Sequence, residues 1–323
     1  MAWVEASYIW FDGDFVKWED AKIHVLSHVV HYGSGVFEGI RAYKTPTGTA
    51  IFRLRDHVRR LYDSARIYRM DIPYSQDKLA QAIIETVARN GFESCYIRPL
   101  VFRGYHELGL SPLMSPVHVI VAVWGWGNYL SADPDTEGVD VVVASWNRMA
   151  PNTLPPMAKA CGNYVNSQLM KMQAIVDGYD EAIAVGTDGL LSEGTGENLF
   201  VIRDGTLYTP QLASSILNGI TRNTVLTIAG DLGIPAVEQP LPREFLYIAD
   251  EVFLTGTAAE IAPVRSVDRI PVGNGLPGPI TRRLKDAFFA ILEGRAPDSH
   301  SWLEPVYGDG LGARSDPETN LGS

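Results

Sequence analysis

Lysine is scarce in this chain, seven of the 27 basic residues, and Lys17, Lys22, Lys44, Lys78, Lys171 and Lys285 all have charged or polar neighbours within a few positions. Lys159 differs. It lies in Pro155-Pro156-Met157-Ala158-Lys159-Ala160-Cys161-Gly162, where nothing nearby in sequence offers a counter-charge. Burial of that segment would leave a nucleophilic amine, which is how a lysine is prepared to form a Schiff base. The same residues also fit a lysine whose ammonium snorkels out of a loop of small residues.

The company downstream of Lys159 bears on the choice. A cofactor carrying an aldehyde, a phosphate and a pyridine nitrogen needs a lysine, an anion site and a carboxylate that keeps the ring nitrogen protonated. Gly219-Ile220-Thr221 opens an expected helix, so free backbone N–H groups, the helix dipole and the Thr221 hydroxyl would converge on a place suited to phosphate. Thr221 as a plain helix cap fits equally well. Gly256-Thr257-Ala258-Ala259 directly follows an expected strand, and residues this small would let backbone amides approach an anion; a strand-ending turn has the same composition. Ser192-Glu193-Gly194-Thr195-Gly196-Glu197-Asn198 places two glutamates among glycines between two strands, a setting that suits function or a solvated hairpin loop.

His24, His28 and His31 share one helical face at i, i+4 and i+7, and His106 follows later in the chain. Three imidazoles so spaced could ligate zinc. Against a metal stand Val25, Leu26, Val29 and Val30, which suit a strand as well as a helix, and the lack of any accompanying cysteine or H-E-x-x-H pattern. A Rossmann fingerprint and a P-loop lysine motif are both missing, and Gly33-Ser34-Gly35 does not supply the spacing, which counts against a dehydrogenase or nucleotide hydrolase.

The frame that must position these residues is that of an ordinary globular protein. The 323 residues suggest about two domains, and 46% hydrophobic with 20% charged residues excludes disorder. Lys and Arg number 27 against 38 Asp and Glu, a net charge of −11 with no basic run, which argues against nucleic acid or an anionic membrane as partner. An anionic ligand must then be held by a local device. Cys95 and Cys161 are too few for a disulfide framework and show no C-x-x-C spacing, so a reducing compartment is expected. The amino terminus lacks the pattern of a secretory signal, and no window approaches the ~18 uninterrupted apolar residues of a membrane span, so the expectation is a cytoplasmic protein.

Tyr8 to Trp18 puts Asp12-Gly13 between two short aromatic runs, the pattern of a hairpin. Leu54, Val58, Leu61, Tyr62, Ala65 and Tyr68 predict one amphipathic helix, and Leu79, Ile83 and Val87, closed by Asn90-Gly91, a second. Cys95 to Phe102, Val117 to Trp126 and Val139 to Trp146 read as strands, and the polar stretch Ser131 to Gly138 between the last two, which contains a proline, marks a domain boundary. Beyond it a helix is expected from Asn163 to Val176, strands at Glu181 to Gly186 and Leu199 to Arg203, hairpin turns at Asp188-Gly189 and Asp204-Gly205, a helix from Ile220 to Leu232 and a buried strand at Glu251 to Thr255. From Tyr307 on the chain reads as a mobile tail.

Ala158-Lys159 with Gly162-Asn163-Tyr164, Asp180-Glu181-Ala182, Glu193 through Phe200, Gly219-Ile220-Thr221-Arg222 and Ala249 through Glu260 together resemble the fold-type IV class of pyridoxal-phosphate enzymes. Phe37-Glu38-Gly39-Ile40-Arg41, Tyr96-Ile97-Arg98-Pro99 and Trp126-Gly127-Asn128-Tyr129 resemble its branched-chain amino-acid aminotransferases. The likeness covers nearly all of the chain, from Tyr8 to Leu303. It implies an α+β fold like that of D-amino-acid aminotransferase: a small N-terminal domain over 1–130, a linker over 131–137 and a larger C-terminal pseudo-barrel domain over 138–306, with residues 307–323 as tail. It implies pyridoxal 5'-phosphate as cofactor, no metal, and ping-pong transfer of the amino group of leucine, isoleucine or valine to 2-oxoglutarate. A D-amino-acid or (R)-amine aminotransferase is the first rival, and a non-catalytic pyridoxal-phosphate binding protein a weaker one.

Residue by residue, the resemblance implies that Lys159 forms the Schiff base and shuttles the proton, that Glu193 pairs with the pyridine nitrogen and that Tyr164 bonds the ring's phenolic oxygen. Arg60, the backbone of Ile220 and Thr221, the Thr221 hydroxyl and Thr257 would hold the phosphate, with Leu217 packed on the ring. Tyr96 and the amides of Thr257-Ala258 would bind the α-carboxylate, while Arg98 and Tyr32 of the partner subunit would receive the distal carboxylate of glutamate. Phe37, Trp126 and Tyr129 would wall the side-chain pocket, closed by the loop Tyr105 to Leu110 of the second copy. The implied assembly is a homodimer or a higher homo-oligomer with a shared site.

Overall fold

The computed structural model describes residues 4–125 and 138–307. Within them lie two nine-stranded sheets. The first runs in the order Leu303–Pro305, Gly48–Phe52, Ile40–Thr45, Cys95–Arg103, Val117–Gly125, Tyr8–Phe11 and Asp14–Lys17, with Val4–Glu5 and Gly35–Phe37 attached at the sides. All its pairs are antiparallel, and the expected hairpin forms with Asp12 and Gly13 at φ of 49° and 107°, a left-handed pair that asparagine, aspartate and glycine tolerate. Behind it pack the helices Leu54–Ile67 and Gln76–Asn90, the latter capped by the Ser75 hydroxyl and stopped by Gly91 at φ 69°. Leu54, Val58, Leu61 and Ala65 are buried, the face that the 3.6-residue period predicts.

The second sheet runs Leu191–Gly194, Glu181–Val185, Val139–Val143, Glu260–Val267, Glu251–Gly256, Asn198–Arg203, Thr206–Thr209 and Ala236–Glu238, with Ile270–Pro271 on its margin, and curls into a half-barrel. Helices Tyr164–Val176, Ile220–Asp231 and Pro279–Leu292 flank it. The last of these escaped the sequence reading, although Leu284, Phe288 and Leu292 recur every fourth residue behind a proline in its first turn. The strand expected over Val139 to Trp146 stops at Val143; from Ala144 the chain turns away, and Arg148 N–H is held by the Val185 carbonyl at 2.8 Å. The boundary segment 131–137, the end of the strand expected to reach Trp126, and the tail beyond Tyr307 lie outside the described residues.

Among the contacts that bind the halves together, two run through the backbone. Leu303–Pro305, which the sequence division 138–306 puts in the second domain, instead pairs antiparallel with Gly48–Phe52 of the first sheet. Beside it Trp302 is buried against Phe52 and the Arg53 guanidinium, and its carbonyl accepts the Arg53 N–H at 2.6 Å. The other contact is the Lys159 segment: Val36 bridges Ala160, Phe37 N–H donates to the Lys159 carbonyl at 3.0 Å, and Lys159 N–H donates to the Ser64 hydroxyl at 3.0 Å. The approach is close enough that a Cβ on Gly35 would stand 3.1 Å from the Cys161 sulfur, which accounts for a glycine that no nucleotide motif explained.

Trp302→Ala is expected to cost about 3 to 5 kcal/mol, the range for truncating a buried aromatic. Urea unfolding followed by circular dichroism checks this; a midpoint equal to wild type would show that the terminal strand is not part of the cooperative fold.

Candidate active site

Two adjoining pockets, of about 380 and 420 Å³, open between the sheets and share Lys159, Gly196, Asn198 and Leu217 in their walls. The Lys159 side chain projects into both. Its Nζ donates to the Tyr164 hydroxyl at 2.6 Å and lies 5.1 Å from the centre of the Phe37 ring. Tyr164 begins the helix that follows, so five residues of chain separate amine and phenol, and the phenol ring in turn leans on Phe37 at 4.8 Å.

Glu193 reaches the first pocket from strand Leu191–Gly194. Its Oε1 accepts from the Arg148 guanidinium, and its Oε2 accepts from Asn198 Nδ2 at 3.1 Å and the Leu217 N–H at 2.9 Å. Burial raises its pKa, while Arg148 and the Leu217 N–H oppose the shift. Such a carboxylate holds a proton more readily than a solvated one, yet keeps its position. Arg148 was missed in the sequence; it stands alone in the run Ser145 to Ala150, and no spacing ties it to Glu193 across 45 residues.

Three buried carboxyl groups gather here. Glu181 takes Lys171 Nζ at 2.8 Å and the Thr195 hydroxyl at 2.7 Å, and Glu193 takes Arg148. Glu197 accepts the Gly196 N–H at 3.0 Å. Burial, reinforced by the Glu181 charge, pushes the Glu197 carboxyl up to about 8. Of the two glutamates that the sequence offered, Glu193 is thus the one with a cationic partner, and Glu197 is the one held neutral.

The second pocket has the features of an anion site. Ile220 and Thr221 form the first turn of helix Ile220–Asp231, whose leading N–H groups have no acceptor within the helix. Thr257 and Ala258 face them from the turn after strand Glu251–Gly256, and Arg60 comes across from the first half. Arg60 is braced: Nε and Nη2 fork onto Glu38 at 2.6 and 2.8 Å, and Nη1 donates to the Asn218 carbonyl at 3.0 Å. Glu38 is fully buried and also takes His57 Nδ1 at 2.7 Å. Burial alone would raise its pKa, but Arg60 and His57 outweigh that and hold it well below the usual carboxylate range. His57 sits one helical turn before Arg60, a spacing readable in the sequence whose partner, Glu38, was not.

Tyr96 and Arg98 point the same way from strand Cys95–Arg103. The Arg98 guanidinium stands 4.8, 5.5 and 5.6 Å from the ring centres of Phe37, Tyr96 and Trp124, and its Nε is buried with no hydrogen-bond partner among the described residues. Trp124 was not foreseen; it lies opposite Tyr96 in the sheet register. Trp126 and Tyr129 lie outside the described residues. Tyr32 and Leu110 are away from Lys159 on the outer surface, 47% and 82% exposed. The histidines form no ligand set: His24 stacks on Tyr105, His28 bonds Ser34 and Gly109, and His31 bonds the Val25 carbonyl. Among the described residues no three His, Cys, Asp or Glu side chains are placed to hold a metal ion, and no helix is long and apolar enough to cross a membrane.

Comparison with known proteins points to one family. Residues 35–267 match the family model of amino-transferase class IV. A branched-chain-amino-acid aminotransferase of Salmonella typhimurium is 51% identical over 303 residues, 94% of this chain and 98% of that protein. The crystal structure of the Escherichia coli branched-chain amino acid aminotransferase is similar at TM-score 0.93 and 50% identity, covering 94% of this chain and all of that one. A T.th. branched-chain amino acid aminotransferase complexed with N-(5'-phosphopyridoxyl)-L-glutamate is similar at TM-score 0.90 and 47% identity, with 94% and 100% covered.

The state of Glu197 can be read from stability. A carboxyl group at about 8 in the fold and near 4.3 unfolded binds more protons folded, so its contribution is lost as pH rises between those values. Glu197→Gln mimics the neutral acid and removes that loss. Its stability relative to wild type is therefore expected to rise by about 2 kcal/mol or more from pH 6 to pH 9 in urea titrations; a difference that stays flat would mean that Glu197 is ionised throughout.

Proposed function

The chain belongs to the amino-transferase class IV family, and on that premise we propose that it moves the amino group of leucine, isoleucine or valine to 2-oxoglutarate in two alternating half-reactions. The family works with pyridoxal 5'-phosphate, and the residues here fit that group. The lining of the second pocket includes Thr255, whose buried hydroxyl has no partner among the described residues, and Gly219, where a Cβ would fall 1.9 Å from Asn198 Oδ1. When bound, the cofactor supplies an electron-poor ring that accepts the charge released when a proton leaves the substrate Cα.

The rest falls to the protein. Lys159 is the base that takes the Cα proton and returns it, with the Tyr164 hydroxyl holding Nζ in place. Glu193 keeps a proton on the ring nitrogen, which sustains the electron demand. Arg60, the first turn of helix Ile220–Asp231, and Thr257 hold the phosphate. Tyr96 with the amides of Thr257 and Ala258 takes the α-carboxylate.

The observation that carries the substrate reading is Arg98 set among three aromatic rings with an unsatisfied Nε. An apolar wall suits leucine, and one cation within it suits the distal carboxylate of 2-oxoglutarate. Tyr32 and the loop 105–110 with Leu110 would complete the pocket from a second copy of the chain. That makes the functional unit a homodimer, and the exposure of these apolar residues supports it. The free thiols Cys95 and Cys161 accord with a cytoplasmic setting.

The test separates the half-reactions. Arg98→Met is expected to lower kcat/KM for 2-oxoglutarate by roughly 30-fold to several thousandfold, the effect of an unpaired buried carboxylate, and to change that for leucine much less. Single-turnover absorbance measures both. An equal loss in both would assign Arg98 to the α-carboxylate. Efficient use of D-alanine or (R)-amines with pyruvate, and hardly any of 2-oxoglutarate, would overturn the branched-chain reading. In the same preparation borohydride should fix the cofactor to the peptide containing Lys159, and a label on Lys171 would overturn the choice of lysine.

A further inference from the structure

The loop 105–110 is held by the segment whose histidine spacing suggested zinc. The buried His28 ring is fixed at both nitrogens, Nδ1 to the Ser34 hydroxyl at 2.7 Å and Nε2 to the Gly109 carbonyl at 3.0 Å. A carbonyl only accepts, so Nε2 carries the proton, and in the neutral ring Nδ1 accepts from Ser34. One turn later Tyr32 stacks on His28 at 4.5 Å and donates its hydroxyl to the Leu108 carbonyl at 3.1 Å. One turn earlier His24 stacks on Tyr105 at 4.4 Å. The backbone joins in: His28 N–H donates to the Gly104 carbonyl at 3.0 Å. Residues 24, 28 and 32 thus meet the loop at Tyr105, at Gly104 and Gly109, and at Leu108.

We infer that His28 is a positioning residue for substrate selectivity, acting in trans: it fixes the carbonyl of Gly109 directly and packs against Tyr32, whose hydroxyl fixes that of Leu108, and so sets where Leu110 stands against the substrate side chain in the partner's site. This rests on the reading that the loop completes a second copy's pocket. Within the chain no residue of the loop lines either Lys159 pocket, but the bond to Ser34 brings His28 next to strand Gly35–Phe37, so a second hybrid must read any effect on its own site. Leu110 makes a prow rather than a core residue, and a prow is only as selective as its mount is rigid. Displacement by about 1 Å is enough to change discrimination between side chains of different shape roughly ten-fold.

The test pairs subunits, each hybrid being purified through a different affinity tag on each chain. Wild type coexpressed with the double variant Lys159→Ala, His28→Phe yields a hybrid whose only working lysine faces the altered loop; Lys159→Ala coexpressed with His28→Phe yields one whose working lysine faces a wild-type loop. The ratio of kcat/KM for leucine to that for phenylalanine is expected to shift about ten-fold in the first hybrid and to stay at the wild-type value in the second. His28→Gln, which keeps a side-chain N–H for Gly109, should return the ratio to within about two-fold. Amide exchange over 105–111 should quicken in His28→Phe and recover in His28→Gln. Equal ratios in both hybrids, a shift that follows the chain carrying Lys159, unchanged exchange in His28→Phe, or a monomer in solution would each overturn the inference. A wild type that ignores leucine would instead overturn the branched-chain reading; the two best donors then replace leucine and phenylalanine, and the hybrids still decide the role of His28.

Discussion

Everything at the site depends on one seam, where residues 158–160 are stitched to strand Gly35–Phe37. The Phe37 N–H, the Ser64 hydroxyl and the bridge from Val36 to Ala160 satisfy the backbone of the lysine segment from the other half of the molecule. A backbone so fixed has little freedom left, and the amine above it needs only the Tyr164 hydroxyl to choose its rotamer. The seam also explains composition. Side chains at Gly33 or Gly35 would crowd the seam, since a Cβ on Gly33 would stand 3.1 Å from Gly162 Cα and one on Gly35 3.1 Å from the Cys161 sulfur.

Around the seam the charges are arranged by pairing and burial together. Glu38 and Glu193 are both buried acids, but their pKa values move in opposite directions. Glu38 meets the Arg60 guanidinium and the His57 ring and remains a carboxylate whose work is to aim Arg60. Glu193 meets one guanidinium and a set of neutral donors, so a proton nearby is welcome, as a partner of a pyridine nitrogen requires. Glu197, bonded to a neutral N–H where the other two acids have a cation, is kept neutral beside them. The protein's −11 net charge has no bearing on this pocket; local donors and the helix terminus decide which anion it accepts.

The proposed substrate pocket takes part of its wall from a second copy of the chain. Arg98, Phe37, Tyr96 and Trp124 give it one wall, while Tyr32 and Leu110 of the same chain stand exposed on its surface. Exposed apolar side chains on a loop braced by hydrogen bonds from Tyr32 and His28 make sense as a surface built for contact. On the proposed reading, catalytic geometry and substrate range fall to different parts of the fold, the first to the seam and the second to the mount of the loop.

Much of this was legible before any coordinates. Lys159, Glu193, the Gly219-Ile220-Thr221 helix start and the Gly256-Thr257-Ala258 turn stood out because their chemistry depends on local sequence: a lysine without neighbours, a helix terminus, a tight turn. The helix over Leu54 to Ile67 and the Asp12-Gly13 hairpin followed from periodicity and turn residues for the same reason. Arg148, His57 and Trp124 did not, because each acts through a partner brought close only by folding, 45, 19 and 28 residues away in Glu193, Glu38 and Tyr96. The choice between Glu193 and Glu197 was likewise tertiary, since two carboxyls four residues apart differ only in what burial places beside them. The histidines show the reverse case. Their spacing suggested one helical face, but the helix spans only His28–Tyr32 and leaves His24 outside it; spacing alone cannot say what faces a histidine, and the fold put a loop against His24 and His28 where the sequence had offered a metal.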